Sequence, residues 1–205
     1  MRAFTTVMTP DLLLAFATFT IVSSITPGPN NLMLMASGTN FGVRRTMPHF
    51  WGVILGFTAL ILLVGLGLSQ VFVRFPIAHV VLKVLSALYM LYLAWKIATA
   101  PPPSESQTQG KPMTFVQALM FQWVNPKGWS MALTAVSAYV VGYNVWGYVL
   151  VALVLGMTSI VASGLWMLTG ARLRRFLANP RALRTFNIVM ALLLVASLYP
   201  VLFSH

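Results

Sequence analysis

Two short stretches of this chain combine residue types that can hold a small zwitterion. The first is Thr26-Pro27-Gly28-Pro29-Asn30-Asn31, and the second is Asn125-Pro126-Lys127-Gly128, with Gln122 just ahead of it. A proline inside a helix lacks the N–H that would bond the carbonyl four residues earlier, and its ring pushes that carbonyl aside. Pro27, Pro29 and Pro126 therefore release the carbonyls of Ser23, Ile25 and Gln122. In hydrocarbon an unpaired carbonyl costs several kcal/mol, so such a break persists only where protein groups, water or a ligand complete it. Each break also creates half-helix ends. Free N–H groups with a partial positive charge suit a carboxylate, and free carbonyls suit an ammonium. A zwitterionic amino acid presents both. The expected substrate site is thus Thr26, Pro27, Gly28, Pro29, Asn30, Asn31, Gln122, Asn125, Pro126 and Lys127. Either break alone reads as well as a plain kink, but two at corresponding places, each beside an asparagine, favour a site.

Lys127 is the unusual member. An ammonium about halfway along a membrane span costs about 3 kcal/mol on insertion scales and faces the bundle interior or a water-filled cavity. Two roles fit. It binds the substrate carboxylate, trading partners with carbonyls of the first break during transport, or it is a fixed cation bonded to those carbonyls and to Asn30 or Asn31. Both make it indispensable.

Other polar residues carry less. Lys83 can snorkel outward along its stem and is assigned no role. Asp11 is at the start of the first apolar run, where a cap or first-turn carboxylate is ordinary; a proton relay through Asp11 is the lesser reading and makes it the coupling candidate. His49 and His79 fall at span ends and read as interfacial. Gly52 and Gly56, and Ser159 and Ser163, are small pairs that let helices approach. Tyr89, Tyr92 and Trp95 ahead of Lys96 read as an aromatic belt.

The elements that must position these residues follow from composition. Of 205 residues, 59% are hydrophobic and only 7% charged, where a soluble domain carries about a quarter charged. Apolar runs of spanning length, about 20 residues, recur from Leu12 onward, so nearly all of the chain is membrane. The absence of cysteine excludes disulfide frameworks, thiolate metal sites and thiol electron relays. The net charge of +11 sits in turns between apolar runs, which indicates retained basic loops and no nucleic-acid partner. The run from Leu12 to Ile25 has the length of a signal-peptide core, but no small-x-small cleavage pattern follows, and it is expected to stay as the first helix.

Breakers and hydropathy predict an all-α integral membrane protein of six spans: Leu12 to Thr39, Pro48 to Phe72, Pro76 to Ile97, Thr114 to Val140, Val145 to Gly170 and Thr185 to Phe203. Residues 1–98 form a first three-helix half, 99–113 a cytoplasmic linker containing Glu105, and 114–205 a second half. Three spans per half start the two halves from opposite faces, so the expected plan is a 3+3 inverted repeat with helices 1 and 4 broken. Arg44, Arg45, Lys96, Lys111, Arg172, Arg174, Arg175, Arg181 and Arg184 lie on one side and only Arg2 and Arg74 on the other. The basic side is predicted to be cytoplasmic, leaving both termini periplasmic. At about 1.5 Å per residue, Pro27 lies ~22 Å along its span and Pro126 ~18 Å along its own, entering from the opposite face. The two breaks can meet near the centre of a ~30 Å core.

The pair Thr26-Pro27-Gly28-Pro29-Asn30 and Asn125-Pro126-Lys127 resembles the pattern of the LysE/RhtB family of amino-acid exporters, and length, span count and linker position agree over the whole chain. Leu93 to Thr99 and Phe186 to Val195 look like the branch that exports cysteine and O-acetylserine. The resemblance implies a secondary transporter moving small neutral amino acids outward across a bacterial inner membrane, driven by the proton motive force. Outward direction rests on the resemblance alone. No cofactor and no metal is expected, and assembly of identical copies is compatible. The spans hold no carboxylate beyond Asp11, so proton coupling needs Asp11, a histidine, Lys127 or the substrate.

Three alternatives belong to other classes. A membrane zinc hydrolase or thiol-disulfide carrier needs histidine-carboxylate sets or paired cysteines, which the sequence lacks. A metal-ion or other small-solute exporter is a second alternative, and metal transport would want carboxylates, histidines or thiols within the spans. A non-transporting membrane assembly subunit is the third.

Overall fold

A computed structural model describes residues 9–100, 110–140, 145–177 and 179–199, and every regular element among them is a helix. Helix α1 spans Pro10–Ile25. It starts where the Thr9 hydroxyl accepts from the Leu12 N–H at 3.3 Å, with Pro10 in the first helical position and Asp11 in the first turn.

Helix α2 spans Pro29–Leu63 but reverses at Gly42 (φ 76, ψ 170). That positive φ is open to glycine and strained for other residues. The Ser37 and Thr46 hydroxyls, nine positions apart, lie 2.9 Å from one another; along a straight helix they would be ~13 Å apart. Leu34 likewise shares a core cluster with Phe50, Val53 and Ile54. α2 is therefore a helical hairpin with arms 29–41 and 43–63. The second arm begins ahead of Pro48, the expected start of span two, because Gly42 is the breaker and Pro48 is carried inside the helix. It continues through a π-helical turn, Val64–Leu68, with Gly67 at φ 108, into short α3, Gln70–Arg74.

Helix α4 covers Ile77–Ala98. Helix α5, Phe115–Phe121, opens on a capping box between Thr114 and Gln117. One 3₁₀ turn, Gln122–Val124, leads to Asn125 and then to α6, Pro126–Tyr139. Helices α7, Val145–Leu173, and α8, Pro180–Ala196, complete the described chain. The proline-rich part of the linker, with Glu105, lies outside the described residues, as do residues 1–8 and 200–205.

Among the described residues three stretches are long and apolar enough to cross a membrane: Pro29–Leu68, Ile77–Ala98 and Val145–Leu173. Pro10–Ile25 and Phe115–Val124 are shorter apolar helices. The polarity pattern is the reverse of a water-soluble protein. Leu14, Leu88, Val161 and Leu192 face outward, while Asn31, Asn40, His49, Gln122, Asn125 and Asn187 are buried. Tyr92 and Trp95 are exposed, with the Lys96 ammonium 5.8 Å from the Tyr92 ring centre.

Helices α2 and α7 pack most extensively. They touch backbone to backbone: a Cβ on Gly38 would run into the Met167 carbonyl, and one on Gly170 into that of Met35. Thr39 adds a bond from Oγ1 to the Gly170 carbonyl at 2.9 Å. Gly52 and Gly56 meet the Phe115 and Leu119 carbonyls of α5 in the same manner, the packing role expected of that pair.

Candidate functional site

The two proline-bearing segments share one local plan. In the first, α1 stops at Ile25, Thr26 (φ −61, ψ 147) and Gly28 are extended, and Pro29 opens α2. In the second, the 3₁₀ turn ends, Asn125 is extended (φ −87, ψ 105), and Pro126 opens α6. A proline suits the first helical position because its missing N–H would be unpaired there anyway. Neither half-helix receives a side-chain cap from its N-cap residue, whereas α1, α5 and α8 are capped by Thr9, Thr114 and Asn179. The first-turn N–H groups of α2 and α6 thus stay available and partly positive inside the bundle.

Every carbonyl released by the prolines has a partner within the chain. Ser23 accepts from the Thr26 hydroxyl at 3.1 Å, Ile25 from the Trp166 indole N–H at 3.0 Å, and Gln122 from the Asn125 N–H at 3.3 Å. Asn31 Nδ2 donates to the Ser24 and Thr26 carbonyls at 2.7 and 3.0 Å. The breaks persist because side chains satisfy them, as the low dielectric demands.

Lys127 joins the two breaks. Its Nζ donates to the Thr26 carbonyl at 2.9 Å, to Thr26 Oγ1 at 2.9 Å and to the Pro27 carbonyl at 3.4 Å. All three acceptors are neutral and belong to the first break. The side chain lies across Gly28, where a Cβ would be 2.6 Å from Lys127 Cδ and 3.0 Å from Nζ.

The asparagines do not bond Lys127. Asn30 and Gln122 instead form a reciprocal amide pair, Nδ2 to Oε1 at 2.9 Å and Nε2 to Oδ1 at 3.0 Å. Asn31 accepts from Ser163 Oγ at 3.2 Å. Asn125 donates to Gln122 Oε1 at 3.2 Å, but its Oδ1 is buried with no hydrogen-bond partner. Asn125 lines a chamber of about 30 Å³ together with Ser23, Ser24, Asn31, Lys127, Ser159 and Ser163, room for a water or two.

Lys127 also walls a second, wider cavity of about 680 Å³. From Pro27, Gly28 and Pro126 it runs past Ser86 and Ser130 to His79 and Lys83. Ser86 is buried and its hydroxyl has no partner. A third cavity, of about 80 Å³, lies between the α2 hairpin and the end of α4, lined by Ser37, Asn40, His49, Lys96 and Lys111. The structure thus brings all ten expected site residues to one junction. Asp11 is exposed in the first turn of α1 and lines none of these cavities. Among the described residues no cluster of His, Cys, Asp or Glu could hold a metal.

Several contributors had no reading as site residues. Ser159 and Ser163 line the chamber, and their four-residue spacing on an otherwise apolar helix was the available signal. Trp166 gave none, since its indole reaches a carbonyl 141 positions away. His49 sits at 1% exposure, with neither ring nitrogen bonded; it is interior, not interfacial.

The LysE type translocator family model matches residues 21–197. The chain is 37% identical over 192 residues, covering 92% of it and 96% of the relative, to a cysteine/O-acetylserine efflux protein of Escherichia coli (strain K12). The same identity and coverage hold for the protein of that name from Shigella sonnei (strain Ss046). No solved structure matches. The family match spans both breaks and every residue lining the three cavities, and translocators of this type are membrane transporters, not enzymes. The chain belongs to the LysE-type translocator family.

Proposed function

We propose that this protein exports small neutral amino acids of the cysteine and O-acetylserine type from the bacterial cytoplasm by alternating access around the Lys127 junction. The relatives, which are cysteine/O-acetylserine efflux proteins by name, support the substrate class and the outward direction. The observation that carries the mechanism is the bonding of Lys127: a primary ammonium already occupies an acceptor set made of the Thr26 carbonyl, Thr26 Oγ1 and the Pro27 carbonyl. The ammonium of an amino acid is the same chemical group. When substrate enters, its carboxylate draws Lys127 away and is met by the uncapped first turns of α2 and α6. Its own ammonium takes the vacated carbonyls, with Asn125 Oδ1 as a further acceptor. Partner exchange thereby couples occupancy to the relative position of the two halves.

The six-crossing, 3+3 inverted plan accommodates this. α1 with the first arm of α2 makes one crossing and its second arm the next, α4 the third, α5 with α6 the fourth, and α7 and α8 the last two. With the basic loops cytoplasmic and both termini periplasmic, the wide cavity ending at His79 lies on the periplasmic side. The Asn30–Gln122 pair closes the junction from the other side. The test is counterflow of labelled O-acetylserine in liposomes containing the purified protein. Saturable uptake supports the reading, and no uptake with folded protein defeats it.

A further inference from the structure

His49 is a buried polar ring with nothing to bond. It is 1% exposed, and Nδ1 and Nε2 both lack partners. Leaving a buried donor or acceptor unpaired costs about 1–3 kcal/mol per group, so such a ring is expected to hold water or a ligand part of the time. It lines the cavity of about 80 Å³, whose other polar walls are Ser37 and Asn40 and whose exposed mouth carries Lys96 and Lys111. The remaining walls, Met33, Phe41, Leu93 and Met113 among them, are apolar. Among the described residues no acid lines the cavity, and both charges at the mouth are positive. Asn40 is held in a reciprocal pair with Asn187 at 2.8 and 3.1 Å, and Ser37 by Thr46 at 2.9 Å, which leaves His49 as the unsatisfied group.

We propose that this cavity is a second substrate site, an entry site on the basic-loop face that takes the same amino acid before it reaches Lys127. The mouth lysines attract and bind the carboxylate. Inside, a neutral imidazole offers one donor and one acceptor, and the acceptor nitrogen receives the substrate ammonium. The apolar walls take a small uncharged side chain, while a cationic side chain would be repelled by the two mouth lysines. The site rests on the exporter reading and adds a second binding event on the side where the Lys127 junction is shut.

Equilibrium binding of radiolabelled O-acetylserine to the purified full-length protein tests it, with counterflow measured on the same preparation. Wild type is expected to bind two molecules per chain, and Lys127→Ala and His49→Phe one each. Lys111→Gln, a change at the exposed mouth that folding tolerates, is expected to weaken the second binding event at least threefold and so serves if His49→Phe does not fold. One molecule per chain in active wild type overturns the entry site and leaves the exporter reading standing. Absence of both binding and counterflow overturns the exporter reading itself. Emptying of the second event by chloride alone at equal concentration marks a general anion site and overturns the substrate assignment.

Discussion

Lys127 donates to the Thr26 carbonyl at 2.9 Å across 101 positions of sequence. One side chain thus ties the broken end of α1 to the broken start of α6, joining two places where the chain has surrendered its regular backbone. A cation with only neutral partners is held less firmly than one in an ion pair. Its bonds can be given up to a carboxylate when one arrives.

Removing that cation should stop transport while leaving the fold. Lys127→Ala is expected to reduce O-acetylserine counterflow to background in liposomes, with membrane insertion and detergent monodispersity unchanged. Lys83→Ala should stay within about twofold of wild type. Normal counterflow by the Lys127 variant would take the residue out of the mechanism.

Gly28→Ala tests the approach of the Lys127 stem. The added methyl would be 2.6 Å from Cδ, so the side chain must leave its acceptors, and we expect counterflow to fall about tenfold or more. Gly128→Ala gives the comparison: its nearest neighbour would be Asn125 Nδ2 at 3.4 Å, an ordinary contact, and the loss should be several times smaller. Equal losses would show that Lys127 is not what Gly28 protects.

The Asn30–Gln122 pair predicts coupling between residues 92 positions apart. Gln122→Ala should destabilise by about 1–3 kcal/mol, since it leaves the Asn30 amide without its partner, and Asn30→Ala by less, since Gln122 keeps its bonds to the Ala118 carbonyl and Asn125 Nδ2. The double variant should cost less than their sum by about 1 kcal/mol. Strict additivity in thermal unfolding would exclude the pair as a unit.

At the α2–α7 crossing, Gly170→Ala should lower stability without altering substrate selectivity. Its methyl collides with the Met35 carbonyl, and overpacking of this kind costs about 1–3 kcal/mol. A drop in thermal midpoint with unchanged relative uptake of different amino acids is the expected result. Unchanged stability would mean the helices cross elsewhere.

The breaks were legible in the sequence because proline chemistry is local: Pro27, Pro29 and Pro126 dictate which carbonyls are freed wherever the chain goes. What satisfies those carbonyls was not legible. Trp166 caps Ile25 and Asn31 caps Ser24 through tertiary placement, which carries no spacing rule. Lys127 could be read as interior from its cost in lipid, but its choice of Thr26 and Pro27 over Asn30 and Asn31 depends on the register between two distant helices. His49 was misjudged for a traceable reason. Pro48 looks like a helix start, which puts His49 at an interface; the real reversal is at Gly42, whose positive φ no pattern announces, and this carries His49 inward.

The neutral acceptors around Lys127 have an electrical consequence. A zwitterion carries no net charge, and the lysine travels with the protein, so a cycle of the proposed export moves current only to the extent that the ammonium shifts through the field. A full crossing by one charge is worth about 2.3 kcal/mol per 100 mV, and a side-chain swing samples a small part of that. The substrate-bearing step should therefore run at nearly the same rate in polarised and depolarised vesicles, which leaves membrane voltage to act through whatever ion the cycle returns.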